Sequence, residues 1–138
     1  MAKDVPSEQG PQALPFEMIG GADTVHRITE SFYDRMQEVE PRLAALHACD
    51  PDGRISEDPR RKFELFLVEW LGGPKVYSPV HGHPRLRMRH ARFPVDDEMI
   101  RAWLSCMMHA LDATNIDGPV RAFLDTRFTD LANFMKNR

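Results

Sequence analysis

An all-helical domain is what this sequence predicts. Three observations carry the prediction: the long apolar patterns recur at i, i+3, i+4 and i+7, no run alternates with period two, and Gly, Pro and Asp punctuation cuts the patterns into helix-length pieces. With 138 residues and 42% hydrophobic content, the chain can bury one core without a disulfide framework or a second domain. One domain over residues 16–138 is therefore expected.

Residues 1–15 hold Pro6, Pro11 and Pro15 and few apolar side chains, so they are read as a flexible N-terminal leader and not as a signal peptide. After Gly20-Gly21, Asp23 is the expected N-cap of a helix whose stripe is Val25, Ile28, Phe32, Met36 and Val39. Pro41 ends that helix and starts a shorter one through Leu43 and Leu46 to His47. A polar loop from Cys49 to Asp58 follows, and Asp58-Pro59 signals the next start. Phe63, Phe66, Leu67, Trp70 and Leu71 form its stripe, and Gly72-Gly73-Pro74 stops it.

Lys75 to His83 reads as irregular. Pro84 is placed at the first position of a short helix that Pro94 bars beyond Phe93, which sets Leu86 and His90 on one face, one turn apart. His90 then stands over an apolar floor. Asp96 is the expected cap of a helix carrying Met99, Ile100, Trp103, Leu104, Met107 and Leu111 and ending near Asn115. The last helix follows Asp117-Gly118-Pro119, with Val120, Phe123, Leu124, Phe128, Leu131 and Met135 on its apolar face. That makes about six helices.

Charge is unevenly spread. Between Trp70 and Val95 the chain carries Lys75, Arg85, Arg87, Arg89 and Arg92 and no Asp or Glu, a local charge of +5 on a chain of net −3, so the remainder carries −8. Such asymmetry marks a place for an anionic ligand. An imidazole ringed by arginines suits a metal cofactor with carboxylates of its own, and haem is one. On spacing alone, His90 reads as a packed or surface histidine rather than a ligand, and any one arginine as part of a solvated face. His81 and His83 form an H-x-H pair that lacks further zinc ligands and reads as loop structure. Cys49 and Cys106 fall in a loop and a helix, which favours reduced thiols. No stretch approaches the roughly 20 apolar residues of a membrane span, so a soluble, cytoplasmic protein is expected.

The ordered set Gly20-Gly21-Ala22, Phe32-Tyr33, Trp70-Leu71-Gly72-Gly73-Pro74, Tyr77, Gly82-His83-Pro84-Arg85-Leu86-Arg87-Met88-Arg89-His90 and Trp103 resembles the truncated haemoglobins, specifically their group II. The resemblance runs from about Phe16 to Leu111. The last helix fits by pattern alone, and the leader and the Cys49 to Asp58 loop fall outside it. It implies a shortened globin in which two helix pairs form a two-over-two sandwich around haem b, iron protoporphyrin IX.

For single residues, the resemblance implies that His90 is the proximal ligand and the metal-binding residue, a neutral imidazole whose other nitrogen needs an acceptor to fix its tautomer. Leu86 belongs to the floor beneath it. Tyr33 and Trp103 become distal donors with His47 as a third; unaided, Trp103 reads as core and Tyr33 as a boundary aromatic. Phe63 and Phe66 face the haem, and Pro59 stands where other globins often place a distal histidine. Tyr77 and Arg89 become partners of the haem propionates, with Arg87 and Arg92 as lesser candidates.

The function implied is binding of O2 and other small diatomic ligands at ferrous iron, with slow release. A well-aligned, charge-assisted donor in a dry pocket is worth about 1.5–3 kcal/mol, or roughly ten- to over a hundredfold in dissociation. Slow release favours nitric oxide oxidation or peroxide reduction, fed by an unidentified electron donor, or haem-based sensing. Two other classes stand beside it: a helical interaction module without haem, and a polyanion-binding protein. The net acidity of the chain argues against nucleic acid. A homodimer stays open.

Overall fold

The computed structural model describes residues 14–138. The leader reading concerns residues 1–15, of which 1–13 lie outside the described residues. The helical segments, in order, are α1 (Pro15–Met18), α2 (Gly21–Val39), α3 (Pro41–Ala44), α4 (Glu57–Trp70), α5 (Ser78–His81), α6 (Leu86–Arg89), α7 (Asp97–Ala113) and α8 (Gly118–Phe134). Among the described residues the only β pairing is an isolated bridge between Cys49 and Ile55. None of their helices is long and apolar enough to cross a membrane.

The four long helices carry the fold. α2 packs against both α4 and α7, and α7 packs against α8, giving two layered pairs. Their stripes meet in one core through Ile28, Phe32 and Met36 of α2, Leu67 of α4, Met107 and Leu111 of α7, and Leu124 and Phe128 of α8. Each such side chain contributes about 1.5–3 kcal/mol when fully buried, which outweighs the weak intrinsic preference of any single helix.

Most boundaries follow the punctuation. Asp96 caps α7, accepting from the Met99 N–H at 2.9 Å, and Gly118-Pro119 opens α8. Four expectations need correction. Asp23 is not the cap of α2, because Gly20, at φ 114°, turns the chain and the helix already begins at Gly21; Asp23 sits in the first turn beside Arg27. Pro84 does not open α6, because Arg85 adopts a left-handed conformation (φ 48°, ψ 51°) and confines the helix to the single turn Leu86–Arg89. α1 and α5, four residues each with Pro in the first turn, were not expected; helices that short are held by tertiary contacts and leave no periodicity to read. Phe123 is 48% exposed and lies under the Arg127 guanidinium instead of in the core.

Gly73 shows why the break before the basic segment needs glycine. A Cβ there would stand 2.8 Å from the Phe16 ring and from the Val68 carbonyl oxygen. The Phe16 N–H also donates to the Leu71 carbonyl at 2.9 Å, so α1 closes directly over the end of α4.

Candidate functional site

One cavity of about 320 Å³ opens among α2, the α3 end, α4, the α5–α6 segment and α7. Tyr33, His47, Phe63, Phe66, Tyr77, Leu86, Arg89, His90 and Trp103, the main cofactor and ligand residues expected from the sequence, line it. Its volume is at the lower end of the range for small-molecule sites. Arg87 and Arg92 are not in the lining; their guanidiniums lie over the Phe134 and Phe93 rings.

His90 terminates α6. Its backbone N–H donates to the Leu86 carbonyl at 3.1 Å, and its Nδ1 lies 2.8 Å from the same oxygen. A carbonyl only accepts, so Nδ1 carries the proton and Nε2 keeps its lone pair in the neutral ring. That is the tautomer a metal ligand needs. The segment after it is fastened by the C-terminus: Asn137 Nδ2 donates to the carbonyls of His90 (3.2 Å) and Phe93 (3.0 Å), while its Oδ1 accepts from the Val95 N–H at 2.9 Å.

The rest of the lining is a cluster of touching rings. Tyr33 meets His47 and Phe63 edge to face at centroid distances of 5.5 and 5.9 Å, and Trp103 meets Phe63 at 6.2 Å. Phe66 stacks beside Phe63 and reaches Tyr77 at 5.7 Å. Burial pushes the Tyr33 phenol above its ordinary range, with the Arg60 charge opposing the rise, so the group stays a neutral donor. Among the described residues no acceptor meets the Tyr33 hydroxyl or the Trp103 indole N–H, and both side chains face the cavity. Such donors suit a ligand that gains negative charge on binding.

His47 differs from what was expected. Its Nδ1–H donates to the Leu43 carbonyl at 3.0 Å, and burial, with His90 as a smaller contributor, lowers its pKa. The neutral ring therefore presents a lone pair at Nε2, so it can accept a proton from a partner but cannot donate one.

At the rim, Arg89 Nη1 donates to the Tyr77 hydroxyl at 3.2 Å, and Nη2 donates to the His81 carbonyl at 3.2 Å. Glu69 holds this corner: one carboxylate oxygen accepts from the Tyr77 N–H, the Ser78 N–H and the Ser78 hydroxyl at 3.0–3.1 Å. These bonds, led by the Ser78 N–H, keep its pKa below the usual carboxylate range. His81 packs its ring on Tyr77, and His83 Nδ1 accepts from the Arg85 N–H. Glu69, Asn137 and the buried Arg60 went unnoticed in the sequence. The polar face of α4 hinted at Glu69; nothing local marked the other two.

The His90 imidazole with its free Nε2, a cavity walled by aromatic rings and a basic rim form a donor set that fits haem: an axial nitrogen, apolar faces for the macrocycle, and cations for its carboxylates. The bacterial-like globin family model matches residues 15–137. The chain belongs to this family. Within it, the relatives are group II truncated haemoglobins. The group 2 truncated haemoglobin YjbI of Bacillus subtilis is 37% identical over 124 residues, covering 90% of this chain and 89% of the relative. The crystal structure of the group II truncated haemoglobin from Bacillus anthracis is 35% identical and superposes with a TM-score of 0.83 over 92% of this chain and 93% of that one. A truncated oxygen-avid haemoglobin from Bacillus subtilis is 37% identical with a TM-score of 0.80, covering 91% and 100%. The two layered helix pairs are thus the two-on-two globin fold, and the chain is a group II truncated haemoglobin that binds haem and small ligands such as O2.

Proposed function

We propose that the protein binds haem b through His90 Nε2, holds small diatomic ligands between Tyr33 and Trp103, and releases them slowly. The observation that carries this reading is the meeting, in one cavity, of an imidazole with a free nitrogen and two donors that no described residue satisfies. Haem, when bound, supplies a ferrous iron that takes O2 and similar ligands.

The protein's own part follows from donor count and dryness. Tyr33 and Trp103 each offer one N–H or O–H, and the rings of Phe63 and Phe66 exclude water, so each donor counts for more than it would in solvent. Two such donors, at about 1.5–3 kcal/mol each, retard release. The kinship with a protein described as oxygen-avid supports the same direction. Tyr77 and Arg89 hold the haem carboxylates, with charge-assisted hydrogen bonds suited to that task, and Leu86 packs beneath the ring.

Slow release suits chemistry on the captured ligand better than transport. The reaction class we favour is nitric oxide oxidation or peroxide reduction, with a separate electron donor restoring the ferrous state. Cys49 and Cys106 are unpaired, in keeping with a reducing cytoplasmic setting. An absorption spectrum of the purified protein before and after dithionite, followed by stopped-flow oxygen release, tests the reading. A Soret band that shifts on reduction, and slow release, are expected. Absence of the band after reconstitution with haem defeats it.

A further inference from the structure

Arg60 is the largest fully buried side chain among the described residues, and no part of the function above uses it. All three of its guanidinium nitrogens are drawn into one network. Nε donates to the Ile55 carbonyl at 2.8 Å, Nη1 to Glu30 at 3.0 Å, and Nη2 to the Gln37 side-chain oxygen at 2.8 Å, with Asp34 at 3.0 Å. The Ile55 N–H donates to the same Gln37 oxygen, and Arg54 reaches Glu30 at 3.2 Å. A guanidinium removed from water needs such pairing. Glu30, Asp34 and Gln37 occupy one face of α2, and Tyr33 is on that face as well. The Arg60 guanidinium carbon stands 5.7 Å from the Tyr33 ring centroid, within the range of a cation–π contact.

We propose that Arg60 is a positioning residue for Tyr33, holding the phenol in place from behind and polarising its hydroxyl toward the cavity, and that the Cys49 to Ser56 loop exists to close over this network. The proposal rests on Tyr33 being a ligand donor as read above. Two effects act together. The guanidinium, locked to three α2 side chains, fixes the distance between α2 and α4, so Tyr33 and Phe63 hold their mutual angle. Its positive charge beside the ring also makes the phenol a stronger donor than burial alone leaves it. The loop supplies the Ile55 carbonyl and N–H that complete the network, and Ile55 itself is fully buried. A polar loop that merely connected α3 to α4 would need neither.

The test uses the haem-loaded protein with Arg60→Lys, which keeps the charge but loses the fork, and Gln37→Leu, which removes the oxygen shared by Arg60 and the Ile55 N–H while leaving the charge. The readouts are the C–O stretch of the ferrous carbon monoxide complex, the oxygen release rate and the melting temperature. Both variants should shift the C–O stretch in the direction seen for Tyr33→Phe and speed release about three- to tenfold, a fraction of one charge-assisted hydrogen bond. Arg60→Lys should add little in a Tyr33→Phe background. If Tyr33→Phe moves both ligand readouts while Arg60→Lys lowers only the melting temperature, Arg60 is purely structural and the proposal fails. It fails equally if the Arg60→Lys effect persists undiminished without the Tyr33 hydroxyl. If Tyr33→Phe itself moves neither readout, the donor role of Tyr33 falls first and takes this inference with it.

Discussion

Arg89 and Tyr77, twelve positions apart, meet at the mouth of the cavity, where the guanidinium donates to the phenol oxygen at 3.2 Å. Each orients the other, since the phenol oxygen accepts from Arg89 and keeps its own proton free to donate, while the second guanidinium nitrogen is anchored on the His81 carbonyl. Haem retention should therefore depend on Arg89 while ligand release does not. Arg89→Ala is expected to accelerate haem transfer to apomyoglobin roughly ten- to a hundredfold, the worth of one charge-assisted pair, with oxygen release nearly unchanged. Equal transfer rates in wild type and variant would remove Arg89 from the haem site.

His90→Gly tests the other side of the cavity. The other imidazole in the lining, His47, packs its ring against Tyr33. The variant should lose stable haem or need added imidazole to restore coordination. An unchanged ferrous spectrum with an intact iron–histidine stretch would show that another residue holds the iron.

Most helical stripes, the Asp96 cap and nine of the twenty lining residues were legible in the sequence, the stripes because burial imposes a period and the nine because a shared motif carried them. What stayed hidden depends on contacts between distant segments. Arg60 reads as a charge on the first turn of a helix until the loop through Ile55 folds over it. Asn137 is an unremarkable polar residue until its amide reaches back 47 positions to His90. Phe123 fits its stripe, yet a covering Arg127 leaves it at the surface. The tautomer of His47 was out of reach too, since it is set by where the Leu43 carbonyl ends up.

Asn137 gives a prediction of its own. Its side chain joins the carbonyls of His90 and Phe93 and the N–H of Val95; the His90 carbonyl also accepts from the Phe93 N–H, but Asn137→Ala leaves the Phe93 carbonyl and the Val95 N–H wanting partners. A loss of about 1–3 kcal/mol in urea unfolding is expected, together with faster haem loss as the chain after His90 loosens. Wild-type values in both measurements would mean that water replaces the amide without cost.

The link between α2 and α4 should respond to pH. His26 Nδ1 lies 2.7 Å from the Glu64 carboxylate, and that bond raises the His26 pKa above 6.5 in the folded protein. The stabilisation is fully present below 6.5, where the imidazole is charged in both folded and unfolded states, and is lost as pH rises through the elevated folded value. The pair is half exposed, so its worth is limited to about 0.2–1 kcal/mol. Urea unfolding of wild type and His26→Gln should differ at pH 6 and converge at pH 9. A difference that grows with pH would reverse the sign argued here.

The last prediction concerns how Trp103 and Tyr33 share control of ligand release. Both side chains face the cavity, and both touch Phe63, so the two donors belong to one packed cluster. Removing one lets the other shift toward the ligand, and partial compensation follows. Trp103→Phe is the cleaner deletion because it keeps an aromatic wall against Phe32 and Phe128 while removing the indole N–H. It should speed oxygen release by about one to two orders of magnitude. Tyr33→Phe alone should do less, because Trp103 remains, and the double variant should exceed the sum of the two single effects in free energy. Stopped-flow release from all three decides the matter. If Trp103→Phe and the double variant both release oxygen at the wild-type rate, Trp103 serves only to pack the core between α2 and α8.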